Sequence, residues 1–297
     1  MAITKTLRGY DLFYYDTDTP PYILCKVIDT NLTEYQTVPT TDEIYELFEI
    51  TPVDVRYDYL FGYVTKCAAF PRIPDGGSRY GTAFYKCTSI IVPPALPKNT
   101  QNIDSFFLFC SAMTDAAVIP QGVTRASGVY DSCTSLKWPV SIPQTVTRLD
   151  DIFWDCPNVT GEAIIRPMSF TNYSFAFRNT VKPITLYGDQ TICQTLAATG
   201  NNGNVSWSPW YDPIPAVKNR GEGSRTTAAD ITRMVRNGAL AVSSYAPGRM
   251  AYQTGDIVRE DEWNALVEAA QTIDPTVTYS THYANMNKIE AAFDSAL

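Results

Sequence analysis

Three aspartates, Asp150, Asp151 and Asp155, come closest to a catalytic pattern in this sequence. Two carboxylates roughly 5–10 Å apart can act as acid and base, or as acid and nucleophile, in glycoside hydrolysis. Grouped carboxylates can also hold a hard cation. The simpler reading is that they are solvated residues of a turn. His282 is the sole histidine, so any Ser–His–Asp or Cys–His arrangement would rest on one residue in a predicted C-terminal helix. The patterns GxxxxGK[ST], GxGxxG and HExxH are all missing from the sequence, which removes the usual phosphate cradles and the histidine-paired zinc site. No cofactor and no metal is expected, and the chain reads as non-enzymatic.

The cysteines carry a stronger signal. Cys87, Cys110, Cys133 and Cys156 fall 23 residues apart three times running. An aromatic precedes each by three positions: Phe84, Phe107, Tyr130 and Phe153. Proline follows ten residues later at Pro97, Pro120 and Pro143, and eleven later at Pro167. The stretches Ile119-Pro-Gln-Gly-Val-Thr-Arg125 and Ile142-Pro-Gln-Thr-Val-Thr-Arg148 almost superimpose. A fixed period in the twenties marks an array whose units bury their apolar faces against one another. Equivalent cysteines in such an array stack in a column, so free, buried thiols are expected rather than disulfides. A degenerate first unit is expected near Cys67, with Phe70 and Ile73-Pro74. A degenerate last one should follow Pro167, with Asn179 in the cysteine position and Phe175 and Phe177 nearby.

The elements that position these residues divide the chain into four expected regions. Residues 1–62 should form a small α/β region that either caps the array or docks elsewhere. It holds a strand at Tyr22–Ile28, a short helix opened by the capping spacing Thr40…Glu43, and a second strand from Val53 to Leu60. Residues 63–197 form the repeats. Residues 198–225, rich in Gly, Asn and Pro, read as a linker whose Trp207, Trp210 and Tyr211 staple it to its own domain. Residues 226–297 should hold three amphipathic helices. The first is capped at Thr227 and ends near Gly238, the second carries Trp263, Leu266, Val267 and Ala270, and the third carries Met286, Ile289 and Phe293. Helices this short should pack on the rest of the chain or on a neighbouring subunit.

The 297 residues carry a net charge of −8 with only 18% charged residues, which opposes nucleic-acid binding. Hydrophobic residues make up 45%, ample for a packed core. The 19 tyrosines and 20 prolines suit a β-rich, turn-rich protein. The N-terminal residues lack the apolar run of a signal peptide, and no segment is long and apolar enough for membrane insertion.

The unit aromatic-x-x-Cys-x-x-apolar, then a strand, then Ile-Pro in the two clearest copies, resembles the BspA-type leucine-rich repeats of bacterial and protozoan surface proteins, also found in phage proteins. Ile90, Met113, Leu136 and Val159 stand where that family has a regular leucine, which keeps the position apolar. The resemblance implies an α+β, mainly β chain: a leucine-rich-repeat solenoid of about 23-residue units with one short strand per turn, generally used for adhesion or protein contact. A small mixed N-terminal region and a C-terminal set of short helices flank it. If Val140 and Ile142 face the core, alternation turns Pro139 and Ser141 outward, and by the same register Pro93, Ala95, Ala116, Val118, Glu162 and Ile164. That small, apolar and nearly uncharged face is the expected contact surface for another protein.

Tyr252-Gln-Thr-Gly-Asp-Ile-Val258 followed by Glu262-Trp-Asn-Ala-Leu-Val267 looks like turn-and-helix segments of tailed-phage virion proteins. This resemblance implies a structural component of the virion, in the tail, baseplate, head-fibre or capsid-decoration apparatus, assembled in the host cytoplasm. Its expected partners are other virion proteins, itself as a homo-oligomer, and a host-surface protein or glycan. The C-terminal helices, through Trp263, Leu266, Val267, Met286, Ile289 and Phe293, are the expected assembly end. Rival readings are a secreted surface adhesin and a tailspike-type polysaccharide depolymerase.

Overall fold

The computed structural model describes residues 3–297 except Thr17, Thr19, Ser78, Asn201, Asn202, 214–226, Gly255 and His282. The sole histidine and about half of the expected linker thus lie outside the described residues.

The chain opens with an antiparallel hairpin, β1 (Ile3–Leu7) and β2 (Tyr10–Tyr15). Its two-residue turn, Arg8-Gly9, has positive φ at both positions, the geometry that matches strand twist. β3 (Tyr22–Val27) pairs with β2, and β4 (Asp54–Arg56) lies parallel to β3. Between them α1 (Thr41–Phe48) begins as its capping box dictates: Thr40 Oγ1 accepts from the Glu43 N–H, and the Glu43 carboxylate accepts from the Thr40 N–H. The strand expected from Val53 to Leu60 stops at Arg56 because the chain there enters the first repeat, and Tyr59 takes a left-handed φ of 57°.

Six successive coils follow, centred on Val64, Cys87, Cys110, Cys133, Cys156 and Thr180. Their aromatic residues form one continuous column: Phe61, Phe84, Phe107, Tyr130, Phe153 and Phe177, with neighbouring ring centroids 5.1–5.9 Å apart. Each aromatic N–H donates to the residue before the next aromatic, as from Phe84 to Phe106 O at 2.9 Å and from Phe107 to Val129 O at 2.9 Å. Each cysteine thiol donates back one coil: Cys87 to Phe61 O, Cys110 to Phe84 O, Cys133 to Phe107 O and Cys156 to Tyr130 O, at 2.9–3.2 Å. All seven cysteines are free and buried.

This ladder corrects the phase of both end units. The first coil has Val64, not Cys67, in the cysteine position, and Cys67 falls in the apolar position that Ile90 holds one coil on. In the last coil the extra residue before Pro167 moves the equivalence from Asn179 to Thr180, which is fully buried and donates to Phe177 O at 2.7 Å. Asn179 itself is exposed.

Among the described residues of the array, regular strand appears only at the C-terminal end, where β5 (Gly161–Ile165), β6 (Ile184–Gly188) and β7 (Val205–Ser208) form a parallel sheet in that order. Earlier coils join through single parallel bridges such as Asn102 to Arg125 and Arg125 to Arg148. Among the described residues the chain is therefore mixed α/β with five helices rather than mainly β, and most coils carry turns where a strand was expected. β7 lies inside the segment read as a linker. A helix, α2 (Gln190–Ala197), replaces the tight turn between β6 and β7 and is capped by the Asp189 carboxylate.

The N-terminal sheet and all the coils share one hydrophobic core, so the first region caps the array's open end. A second core belongs to α3 (Ala228–Ala241), α4 (Glu260–Gln271) and α5 (Tyr283–Ala296), together with Ile164 and Tyr187 from the array. α3 opens on a capping box between Thr227 and Asp230. It runs past Gly238, which is a crossing point rather than a stop: a Cβ there would sit 2.8 Å from the Phe293 ring on α5.

Candidate functional site

The outward residues of the array and the C-terminal helices, expected to meet separate partners, meet each other. Ile164 is fully buried inside the helical core. Glu162 pairs with Arg236 of α3 at 2.5 Å and accepts from the Tyr187 hydroxyl at 2.8 Å. The Ser141 N–H donates to Pro247 O at 3.2 Å. The Ala116 carbonyl accepts from Arg259, and the Val118 N–H donates to Asp261. Pro93 and Pro139 are buried, and Ala95 and Val118 line a cleft of about 310 Å³ against α4. The face is therefore not open to a second protein in this arrangement. Trp263, Leu266, Val267, Met286, Ile289 and Phe293 are likewise spent in the helices' own core.

The seam is held by arginines that the sequence reading passed over. Arg166, next after β5, reaches the end of α3 and donates to the carbonyls of Ala239, Val242 and Tyr245. A cation there satisfies carbonyls that the helix leaves unpaired and complements its dipole. Burial brings this guanidinium down to about 10, so it stays charged at neutral pH. Arg259 pairs with Asp261 at 2.9 Å, and together they serve the carbonyl of Ala116 and the N–H of Val118 as a neighbouring strand would. Burial pulls Arg259 down, but Asp261 and Glu262 outweigh it and hold it above its ordinary value. Burial pushes Glu262 up against the opposing pull of Arg259 and Arg249. Arg249 lies 3.2 Å from Asp256 and 3.3 Å from Glu262. These charges are mutually compensated, which suits a permanent joint.

The aspartates lie elsewhere, on the tight turn of each coil. Two left-handed residues recur there, five and one before the cysteine position: Tyr59 and Tyr63, Thr82 and Lys86, Ser105 and Phe109, Gly128 and Ser132, Asp151 and Asp155, Phe175 and Asn179. Asp151 and Asp155 occupy these positions because Asp tolerates αL backbone. Asp150 is nearly buried and accepts from the Ser127 hydroxyl at 3.0 Å. Burial raises Asp131, and the like charges of Asp151 and Asp155 add to the rise.

The same turns build an exposed aromatic ladder. Tyr85 packs edge-on against Tyr59, Tyr63 and Phe109, with centroids 5.2–6.0 Å apart. Lys86 Nζ sits 5.1–5.5 Å from the rings of Tyr63, Tyr85 and Phe109. Beyond the acidic coils, Arg178 covers Trp154 and Phe175 in the same way. Tyr63 is 56% exposed and Phe175 46%, unusual values for large rings on a packed framework. A signal for this ladder was present in the repeat phase, since each pair of residues just before a repeat cysteine holds at least one aromatic or charged side chain: Tyr85 and Lys86, Phe109, Asp131, Trp154 and Asp155. Trp210 and Tyr211 pack on Tyr187, as a stapled segment should.

No family model matches this sequence, and no curated protein matches it. Two solved structures are similar. A leucine-rich repeat protein of T. pallidum shares 19% identity over 67% of this chain and 96% of its own, with a TM-score of 0.37. A leucine-rich cell surface protein of Faecalibacterium prausnitzii shares 21% identity over 62% of this chain and 54% of its own, with a TM-score of 0.41. The repeat described above stands on the chain's own hydrogen bonds and ring column.

Proposed function

We propose that this chain is a non-enzymatic structural protein of a tailed-phage virion, built on a leucine-rich-repeat solenoid that serves protein or host-surface contact. The observation that carries the contact role is the aromatic ladder on the turn edge. Rings held rigidly by packed coils, exposed and accompanied by cations, are the kind of surface from which binding hot spots are made. The virion assignment rests on the segment Tyr252–Val267. It forms the joint in which Tyr252 and Trp263 are buried, so its pattern serves an architectural role in this chain.

The test is to purify particles from a lysate of cells carrying the gene and locate the chain by mass spectrometry and antibody labelling in the electron microscope. Recovery in the tail, baseplate, head-fibre or decoration layer is expected. Recovery only at the cell surface would replace this reading with an adhesin. Turnover of a host polysaccharide that is abolished by Asp151→Asn would replace it with a depolymerase.

A further inference from the structure

The turn-edge ladder has an internal order. Numbering the coils one to six from Val64 to Thr180, coils one to three carry Tyr59, Tyr63, Tyr85, Lys86, Leu108 and Phe109. Coils four to six carry Asp131, Asp151, Trp154, Asp155, Phe175 and Arg178. The first half is aromatic and cationic. The second is acidic, with its own aromatic pair at the far end.

We infer that this edge is a self-complementary surface on which a second copy of the chain docks antiparallel about a two-fold axis between coils three and four. The operation places coil two of one copy against coil five of the other, and coil one against coil six. It preserves position within the turn, because a two-fold axis lying across the ladder reverses its length and not its width. Lys86 then faces Asp155 of the second copy, Tyr85 faces Trp154, and Tyr59 faces Phe175. Gly62, without a side chain, faces Arg178 and leaves room for its guanidinium beside Tyr63. Phe109 faces Ser132, a neutral pairing. Leu108 opposite Asp131, at the axis, and Thr82 opposite Asp151 are rows without charge complementarity. Because the interface is isologous, each favourable row occurs twice.

Three observations point to this occupant. Among the described residues, Lys86 has no carboxylate within ion-pair distance in its own chain, and neither Asp131, Asp151 nor Asp155 has a cation within it. The ammonium of Lys86 and the guanidinium of Arg178 already lie against the rings, where they compete with a sugar for the ring faces. Exposed rings set beside a cation at one end and carboxylates at the other call for a protein surface bearing the opposite charges. At about 4.8 Å per coil, Lys86 and Asp155 of one chain are roughly 14 Å apart and cannot pair internally.

The inference deepens the homo-oligomer part of the proposed function and rests on its contact role. Its test uses the full chain in sedimentation-velocity and light-scattering measurements from about 1 to 200 μM. A dimer is expected, with K86E and D155K each weakening self-association at least about tenfold. The double variant K86E/D155K should restore it to within about threefold, because the pair is re-formed with its charges exchanged. A chain monomeric throughout this range overturns the docking surface. So does a dimer indifferent to K86E and D155K. If such a chain is still recovered in purified particles, the virion reading stands and only the self-docking fails.

Discussion

Arg259, at the start of α4, donates its Nη2 hydrogen to the carbonyl oxygen of Ala116 at 2.6 Å, across 143 residues of sequence. This bond ties the helical module to the middle of the array at a backbone group that no neighbouring coil satisfies with a ladder of its own. Its neighbours Asp261 and Glu262 are partly or fully enclosed.

Replacing Arg259 with alanine should leave Asp261 without its cation, Glu262 with Arg249 alone, and Ala116 O without its donor. Breaking one side of an enclosed pair typically costs about 3–5 kcal/mol. The expected result is a loss of that size in urea unfolding, with faster hydrogen exchange at the Val118 N–H. Arg259→Lys should recover only part of it, since one ammonium cannot reproduce the forked contact.

The thiol column should be inert at neutral pH. Burial pushes Cys87, Cys133 and Cys156 far above the ordinary thiol value of 9.0 and Cys193 up to about 12. Below pH 9.0 these groups are neutral in folded and unfolded chains, so their contribution to stability is fully present. Above it the unfolded chain ionises first, and that contribution is lost as pH rises toward the folded values. Ellman's reagent at pH 8 should find no fast-reacting thiol in the native chain and seven after denaturation. Unfolding free energy should fall steadily from pH 9 upward.

Thr82 is a β-branched residue at φ 58°, a conformation that such side chains avoid. Asn tolerates it. Thr82→Asn should therefore raise stability by about 0.5–1 kcal/mol, read as a higher melting temperature. A fall would mean that the threonine hydroxyl's contact with Gly81 O outweighs the backbone strain.

At Gly238, helix propensity and packing oppose each other. Alanine gains about 1 kcal/mol of propensity, but its methyl would meet the Phe293 ring at 2.8 Å. Overpacking costs about 1–3 kcal/mol, so Gly238→Ala should destabilise. In a Phe293→Leu background the same change should become neutral or stabilising, which a double-mutant cycle would show.

The repeat, its thiol column and four helices were legible because each rests on a local pattern: Cys87 to Cys156 on a fixed spacing, α1 and α3 on capping residues, α4 and α5 on their apolar stripes. The end units were misphased because Cys67 matched by residue type a position that geometry gives to Val64. The extra residue before Pro167 likewise displaced the last unit by one. The opening hairpin was signalled only by the Arg8-Gly9 turn, a short cue beside the strands around it. The destination of the sheet face was out of reach for a different reason. Alternation tells which way Ile164 and Ser141 point, but what lies over them comes from residues far along the chain, and no period links the two.

The seam also sets an order of events at the ribosome. The face carrying Ala116, Ser141 and Ile164 leaves the tunnel well before Pro247, Arg259 and the helices that cover it. At about 5–20 residues per second that interval is on the order of ten seconds. During it the nascent array presents unpaired backbone groups and an apolar face, so this is the stage at which a chaperone or a slow translation rate would most alter the yield of folded protein.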